Sequence, residues 1–550
     1  MRTRKKQDGI QVQAIAGTHV VLLGWDMSRQ DSTGVLGFAV HRTDHTENEA
    51  YWLKGMKTFA ETDPGLGLGA RVSTRQHPVQ GFTWSDFSAK PGHTYTYRVI
   101  ALHGKPTGLR EEEAVPVTVT TESEDQGTQE VWFNRGAAAS QEYARRFHNR
   151  RPDEVGPPAF QWLSRGLEEA MLDFIKQAKT SGWGLRVAAY QFTYLPVLNA
   201  LRLAHMNGAD VRIVYDARKQ EVSKPNRQAV TDAKIRNLCQ ERTADPSGLA
   251  HNKFIILLRD RKPVAVWTGS TNFTEGGIFG HSNVGHIVRD PGVAGLYLSY
   301  WEQLHNDPPV KTLRPWVGQV TPTPASGEKP PQGTSALFSP RSGLKLLDWY
   351  AELAGSASSL LCMTFAFGID QRFHPVFEAS MGGLRYALLD SSGTNNEAQQ
   401  KVKELRRKVF NRFAIGSYLA QNRFDRWVHE QLSGLNRHAH YIHTKYMLVD
   451  PLGEDPIIVT GSANFSEAST RENDENMLVI RGDTTVADIY LTEFFRLWNH
   501  YAFREWASKQ DNASTTTLRH LDPDDSWRAK YYDDTPRARQ RMLFAGTLAS

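Results

Sequence analysis

The same spaced set of polar residues occurs twice in this chain. One block reads HNKFIILL and then GSTNFTEGGIFGHSNVG, and the other reads HTKYMLVD and then GSANFSEASTRENDEN. His443 lies 192 positions after His251. The same interval separates Lys445 from Lys253, Gly461 from Gly269, Ser462 from Ser270, Asn464 from Asn272 and Glu475 from Asn283. A repeat kept this strictly constrains the fold to two equivalent units. In each block an apolar run (254–258; 446–449) follows H-x-K, and a second (AVWT; IIVT) leads into G-S-x-N. Such runs read as buried strands. The two-residue period of a strand then puts His and Lys on one face, and Ser and Asn share a face after the bend that Gly permits.

The surrounding segments, 131–306 and 337–506, share a plan. Each opens with Phe and a polar turn, passes through a helical pattern, and reaches an apolar strand: LRVAAYQF in the first, SLLCMTFAF in the second. An amphipathic helix and a strand ending at Asp follow, with Asp216 in one and Asp390 in the other. This order predicts two α/β lobes. Residues 1–122 differ. IQVQAI, HVVLLGW, GFAVHR, TYTYRVIAL and VPVTVT are rich in Val, Ile, Thr and Tyr and are separated by turn residues, which predicts an all-β sandwich. The stretch FTWSDFSAKPGHTYTYRVIALHG resembles part of a fibronectin type III domain. That resemblance implies Trp25 in the core, a tyrosine corner at Tyr95 or Tyr97, and a role in contacting an unknown protein partner. Residues 121–130 and the Pro-rich 307–336 read as linkers, and 507–550 as a tail or loosely packed appendage. The predicted fold class is multidomain: an N-terminal all-β sandwich followed by a duplicated two-lobed α/β fold.

Composition sets outer bounds. A chain of 550 residues with 40% hydrophobic and 23% charged residues can build several cores. The net charge of +5 permits a polyanionic partner without requiring one. Two cysteines, Cys239 and Cys362, exclude a disulfide scaffold and a Cys-rich zinc module; they fit a reducing compartment or a cysteine-poor secreted protein. No apolar stretch approaches a transmembrane length, and no apolar segment backs the basic N-terminus as a signal peptide would. The expectation is a soluble, cytoplasmic protein.

Each block offers an imidazole, an ammonium, a hydroxyl and an amide. That set supplies a nucleophile or acid together with donors for phosphate oxygens. Two pseudo-symmetric halves would put two imidazoles on opposite sides of one phosphorus, where one attacks and the other protonates the leaving oxygen.

The constellation over 131–506 resembles the phospholipase D superfamily, named for its H-x-K-x-x-x-x-D motif. The resemblance implies metal- and cofactor-independent cleavage of a phosphodiester through a covalent phosphohistidine. His251 and His443 would be the catalytic pair. Lys253, Lys445, Asn272 and Asn464 would hold the phosphate, with Ser270 and Ser462 in support. Glu475 would hydrogen-bond the far nitrogen of His443. Asp450 would be a structural acid, or an ordinary strand-end residue. The first block departs from the motif at Leu258 and at Asn283, where Asp and a carboxylate would stand. Decay of the first half is one reading. The other follows tyrosyl-DNA phosphodiesterases, in which the first motif also lacks Asp and an amide backs its His. By that analogy His251 is the nucleophile, and His443 with Glu475 is the general acid and base.

The substrate reading rests on 401–437. Nine basic residues (Lys401, Lys403, Arg406, Arg407, Lys408, Arg412, Arg423, Arg426, Arg437) face three acidic ones there, with Phe410, Phe413, Tyr418, Phe424 and Trp427 interleaved. This composition suits a nucleic-acid backbone and stacked bases. It equally suits an amphipathic helix with its aromatics turned inward. His281, His286, His438 and His440 lack metal-ligand spacing and read as secondary or structural. The leading expectation is a nuclease acting on DNA or RNA. A phospholipase D acting on phospholipid head groups and an impaired nucleic-acid-binding module are the alternatives.

Overall fold

Seven strands form each of two sheets, and both sheets follow one plan. In the first the order is Gln129–Phe133, Val284–Val288, Lys262–Gly269, Lys253–Arg259, Trp183–Ala189, Asp210–Asp216, Cys239–Arg242. In the second it is Gly333–Ser339, Glu475–Arg481, Ile457–Gly461, Tyr446–Val449, Leu360–Phe365, Leu384–Leu389, Asn411–Ile415. The last three strands of each list run parallel and the remaining pairs antiparallel. The computed structural model describes residues 1–66, 70–112, 114–125, 127–136, 140–148, 150–380, 382–393, 395–416, 441–508 and 520–548. Both sheets lie in one compact unit, within 125–416 and 441–486.

The central strands are apolar throughout because both faces are covered. Ile255 and Leu257 enter a core with Phe174, Leu198 and Leu201 from the flanking helices. Phe254, Ile256 and Leu258 are buried on the other face. There the Pro291–His305 helix ties the lobes together. Tyr297 lies edge-on to Phe254 at 5.1 Å and to Phe338 of the second sheet at 5.1 Å, and Tyr300 stacks on Phe338 at 4.4 Å. The tie is polar as well: Tyr297 and Thr268 both donate to the buried Asn476 side chain, at 2.9 and 2.5 Å. Strands buried on two faces read as continuous apolar runs, which is why the sequence located them.

The expected linker at 307–336 is only partly a linker. A helix, Val310–Val320, runs through it despite Pro315, because Val310, Leu313 and Val317 recur on one buried face. The strand Gly333–Ser339 begins inside the same stretch.

The other unit holds residues 1–124 and the described part of 487–550. It is β-rich, as expected. One sheet orders Arg2–Gln7, Ile10–Ala16, Val21–Met27 and Thr83–Asp86; the other centres on Thr94–Lys105, which pairs with Gly37–Asp44, Gly108–Glu111 and Val115–Thr120. Their facing side chains, among them Val12, Trp25, Phe38, Tyr97 and Val117, share one core. The C-terminal stretch corrects an expectation. Trp527 and Tyr532 belong to that same core, and the Trp527 indole donates to the Val35 carbonyl at 2.9 Å. Sparse aromatics in a polar sequence are here anchors for a segment that completes this core. The helix Pro536–Ala545 adds Leu543 and Phe544 as buried residues. Among the described residues no helix is long and apolar enough to cross a membrane.

Candidate active site

Two short backbone bridges between the lobes build the site. In one, the His251 amide donates to the Asp474 carbonyl at 3.0 Å and the Asp474 amide to the Leu249 carbonyl at 2.8 Å. In the other, the His443 amide donates to the Ser282 carbonyl at 3.2 Å and the Ser282 amide to the Tyr441 carbonyl at 2.8 Å. The loop approaching each histidine therefore runs beside the loop that carries the other lobe's backing group. Each approach is also pinned by the Asp ending a neighbouring strand. Asp216 accepts from the Ala250 amide at 3.1 Å, and Asp390 from the Ile442 amide at 2.9 Å.

This geometry crosses the pairing expected from sequence. Glu475 does not back His443. Both its oxygens lie 2.9 Å from Nδ1 of His251, across the lobe boundary. His443 Nδ1 instead donates to the Asn283 side-chain oxygen at 3.0 Å and lies 3.1 Å from the Ser270 carbonyl. The amide orientation of Asn283 is set independently, since its nitrogen donates to the Gly277 carbonyl at 2.7 Å. One imidazole thus has a carboxylate behind it and the other a neutral amide.

The serines also depart from expectation. Ser270 and Ser462 are fully buried, and their hydroxyls are engaged by the backing groups. Ser270 donates to Asn283 at 2.8 Å and Ser462 to Glu475 at 2.6 Å. They hold the groups that hold the histidines. The lysines sit beside their own histidines: Lys253 donates to the His251 carbonyl at 2.5 Å and Lys445 to the His443 carbonyl at 2.6 Å. Asn272 gives its amide to Gln191 at 2.8 Å, and both its side-chain oxygen and that of Asn464 are buried without a hydrogen-bond partner among the described residues. Asp450 lies away from the histidines. It accepts from the backbone and hydroxyls of Ser358 and Ser359 and from the Leu360 amide, capping the start of the Leu360–Phe365 strand.

Charge is unbalanced in the site. Among the described residues, two ammonium groups and two imidazoles surround one directly hydrogen-bonded carboxylate, Glu475, with Asp216 also acting on Lys253. Burial pushes Lys253 down to about 7 against the pull of Glu475 and Asp216. It pushes Lys445 well below its ordinary value, with Lys253 adding repulsion. Burial also lowers His251 to about 4, which leaves a neutral imidazole donating from Nδ1 to Glu475. His443 falls well below its usual range through burial and then Lys445, His281, Lys253 and His251. Glu475 is held below the ordinary range: burial opposes ionisation, but His251, Lys253 and Ser462 outweigh it. A site in this condition is short of negative charge.

Sequence reasoning missed Tyr190 and Asn473 and read His281 only as secondary or structural. Tyr190 lies 4.8 Å from the His251 ring and His281 lies 5.7 Å from the His443 ring, measured between centroids. Asn473, which occupies the place of His281 in the second block, donates to Glu475 at 3.3 Å. Equivalence between the blocks was the signal that could have flagged both positions. Of the basic segment 401–437, residues 417–437 lie outside the described residues, as do His438 and His440. Among the described part, Lys401 pairs with Glu378 at 2.5 Å. His286 is buried in the first sheet against Gln129 at 2.7 Å and takes no part in the site.

The family described as "Cardiolipin synthase, PLD-like domain" matches residues 171–305 and 351–498, just over half of the chain. The protein belongs to this phospholipase D-like family of enzymes acting on phosphodiesters. Mitochondrial cardiolipin hydrolase of Xenopus laevis is 37% identical over 73 residues, which are 13% of this chain and 30% of that protein. The chain therefore spans about a third of the length of that relative. Among solved structures, phosphatidylserine synthase of Haemophilus influenzae Rd KW20 is 12% identical with a TM-score of 0.44, covering 65% of this chain and 94% of that one. Nuc of Salmonella typhimurium, a phospholipase D family member, is 29% identical with a TM-score of 0.22, covering 26% of this chain and 87% of that one.

Proposed function

We propose that this protein hydrolyses phosphodiester bonds in nucleic acid through a phosphohistidine on His251, without a metal ion. The observation that carries the reading is the unequal backing of the two imidazoles. Glu475 on Nδ1 raises the nucleophilicity of His251 Nε2 and offsets the charge the ring gains on bonding phosphorus. A neutral amide leaves His443 the weaker base and the better acid. In the first step His251 Nε2 bonds phosphorus, the bond to the leaving oxygen breaks, and that oxygen takes the proton of His443. In the second step His443 accepts a proton from water, the water oxygen bonds phosphorus, and His251 is released. Lys253, Lys445, Asn272 and Asn464 supply donors to the phosphate oxygens. A phosphate anion offsets the repulsion among Lys253, Lys445 and His443 and returns His443 toward its protonated form.

Nucleic acid as substrate rests on the basic, aromatic-bearing sequence 401–437. A second reading, hydrolysis of a cardiolipin-type phospholipid, is favoured by the family description and by the stretch shared with cardiolipin hydrolase. The N-terminal sheets fit a fibronectin type III-like module that contacts a protein partner: the Tyr95 hydroxyl accepts from the Lys90 amide at 2.9 Å, as a tyrosine corner would. The test is incubation of the full chain with DNA, RNA and cardiolipin vesicles in EDTA. Cleavage of DNA or RNA that is lost in His443→Ala supports the proposal. Lipid hydrolysis alone replaces it with the second reading. Binding without turnover, or a metal requirement, overturns both.

A further inference from the structure

Tyr190 follows directly on the Trp183–Ala189 strand, whose last residue pairs with Lys253. Its ring centroid is 4.8 Å from that of His251, with the planes 60° apart, and the Lys253 ammonium lies 5.2 Å from the same centroid. One aromatic ring therefore flanks both the imidazole and the ammonium. The backbone that presents it is locked. The fully buried Asn226 donates to the Tyr190 carbonyl at 2.8 Å and to the Asp216 carbonyl at 3.0 Å, and accepts from the Phe192 amide at 2.8 Å. Among the described residues of the second lobe, the register-equivalent position carries no aromatic ring. Extending the register that pairs Met363 with Met447 brings Phe365 level with Lys445, and Ala366 to the place of Tyr190. The two histidines differ on this flank as they differ in their backing groups.

A bond from His251 Nε2 to phosphorus turns the ring into a cation. Glu475 meets that charge at Nδ1, in the plane of the ring. A cation over the face of an aromatic ring and within about 6 Å of its centroid is drawn to the π cloud; the Lys253 ammonium lies over the Tyr190 ring, and the His251 ring centre is within the same distance. Burial, then Asp216, Glu221 and Glu475, raise the Tyr190 phenol to about 12, so it stays neutral at working pH.

We propose that Tyr190 is a positioning residue for the nucleophile: its ring, and not its hydroxyl, holds the His251 imidazole and stabilises the charge that phosphorylation places on it. This rests on the reading of His251 as the nucleophile. The test compares Tyr190→Phe, Tyr190→Leu and pentafluorophenylalanine at position 190, which keeps the shape of Phe and reverses its quadrupole. Two measurements are made on the full chain: the burst of p-nitrophenol from bis-p-nitrophenyl phosphate, and the affinity for orthovanadate, a phosphoryl mimic that bonds imidazole nitrogen. Tyr190→Phe should match the wild type in both. Leu and the fluorinated residue should slow the burst and weaken vanadate roughly three- to tenfold, with KM unchanged. Wild-type values in the Leu and fluorinated variants, or an equal loss in Tyr190→Phe, would overturn the inference alone. A wild-type protein with neither burst nor vanadate binding would overturn the phosphohistidine reading and this inference with it. Should the Leu variant fail to fold, the fluorinated one still decides the matter.

Discussion

At the scale of single residues, the chemistry turns on which group stands behind each imidazole. Replacing Glu475 by Gln leaves the hydrogen bond to His251 and removes the charge. Phosphoenzyme formation should slow by roughly 10²- to 10³-fold with little change in substrate affinity, read by rapid-quench kinetics. Replacing Asn283 by Asp puts a carboxylate behind His443 and makes it a poorer acid. Cleavage of diesters with alcohol leaving groups should suffer, while p-nitrophenyl esters, which need no proton, should not. In His443→Ala the label from a p-nitrophenyl substrate should accumulate on the protein and map to His251 by mass spectrometry; label on a different residue would refute the assignment. Both histidines, both lysines and both asparagines were legible in sequence because a strict repeat names them. The pairing was not legible. Glu475 is 32 residues from His443 in the chain and 224 from His251; its partner His251 is in the other block, and only the bridge between 249–251 and 473–475 brings them together.

At the scale of elements, the two blocks solve the same packing problem differently. Asp450 takes five hydrogen bonds at the start of the Leu360–Phe365 strand. Burial alone would raise its pKa, but the amides of Ser358, Leu360 and Ser359 more than offset this and hold it below the ordinary range. Asp450→Ala should cost about 2–3 kcal/mol in denaturant unfolding, because buried donors lose a charged acceptor. At the equivalent position Leu258 packs over Gly184, where an added Cβ would come 3.3 Å from a Leu258 methyl. Where the second motif has Asp, the first thus has an apolar packing contact. Gly269 shows a constraint on the turn that presents Ser270 and Asn272. Its φ is +131°, and a Cβ there would lie 2.3 Å from the Val284 carbonyl oxygen. Gly269→Ala should cost about 2 kcal/mol or more and lower activity together with thermal stability.

For the whole molecule, the C-terminal segment matters as much as the catalytic lobes. Trp527 meets Phe38, Phe82 and Tyr531 with ring centroids at 6.2, 5.6 and 5.8 Å. Trp527→Ala should therefore destabilise the N-terminal sheets by about 3–5 kcal/mol, measured by calorimetry. Stability should also depend on pH in a definite direction. Burial lowers His251 to about 4 and His286 to about 3, so both are neutral when folded. The unfolded chain, with imidazoles near 6.5, binds more protons between those values, and stability falls as pH drops from about 6.5 toward 3. His286→Gln should flatten that slope in a series of melting curves. Local patterning sufficed for the strands, the two-lobed plan and the identity of the polar set, because periodicity and spacing are properties of neighbours in the chain. It could not give the crossing of Glu475 and Asn283, the hydrogen bonds of the serines to these backing groups, the flank that Tyr190 supplies, or the return of residues 520–548 to the N-terminal sheets. Those depend on which distant segments share a space, and free energy gained by burial and by satisfying buried polar groups is settled only when the chain is folded.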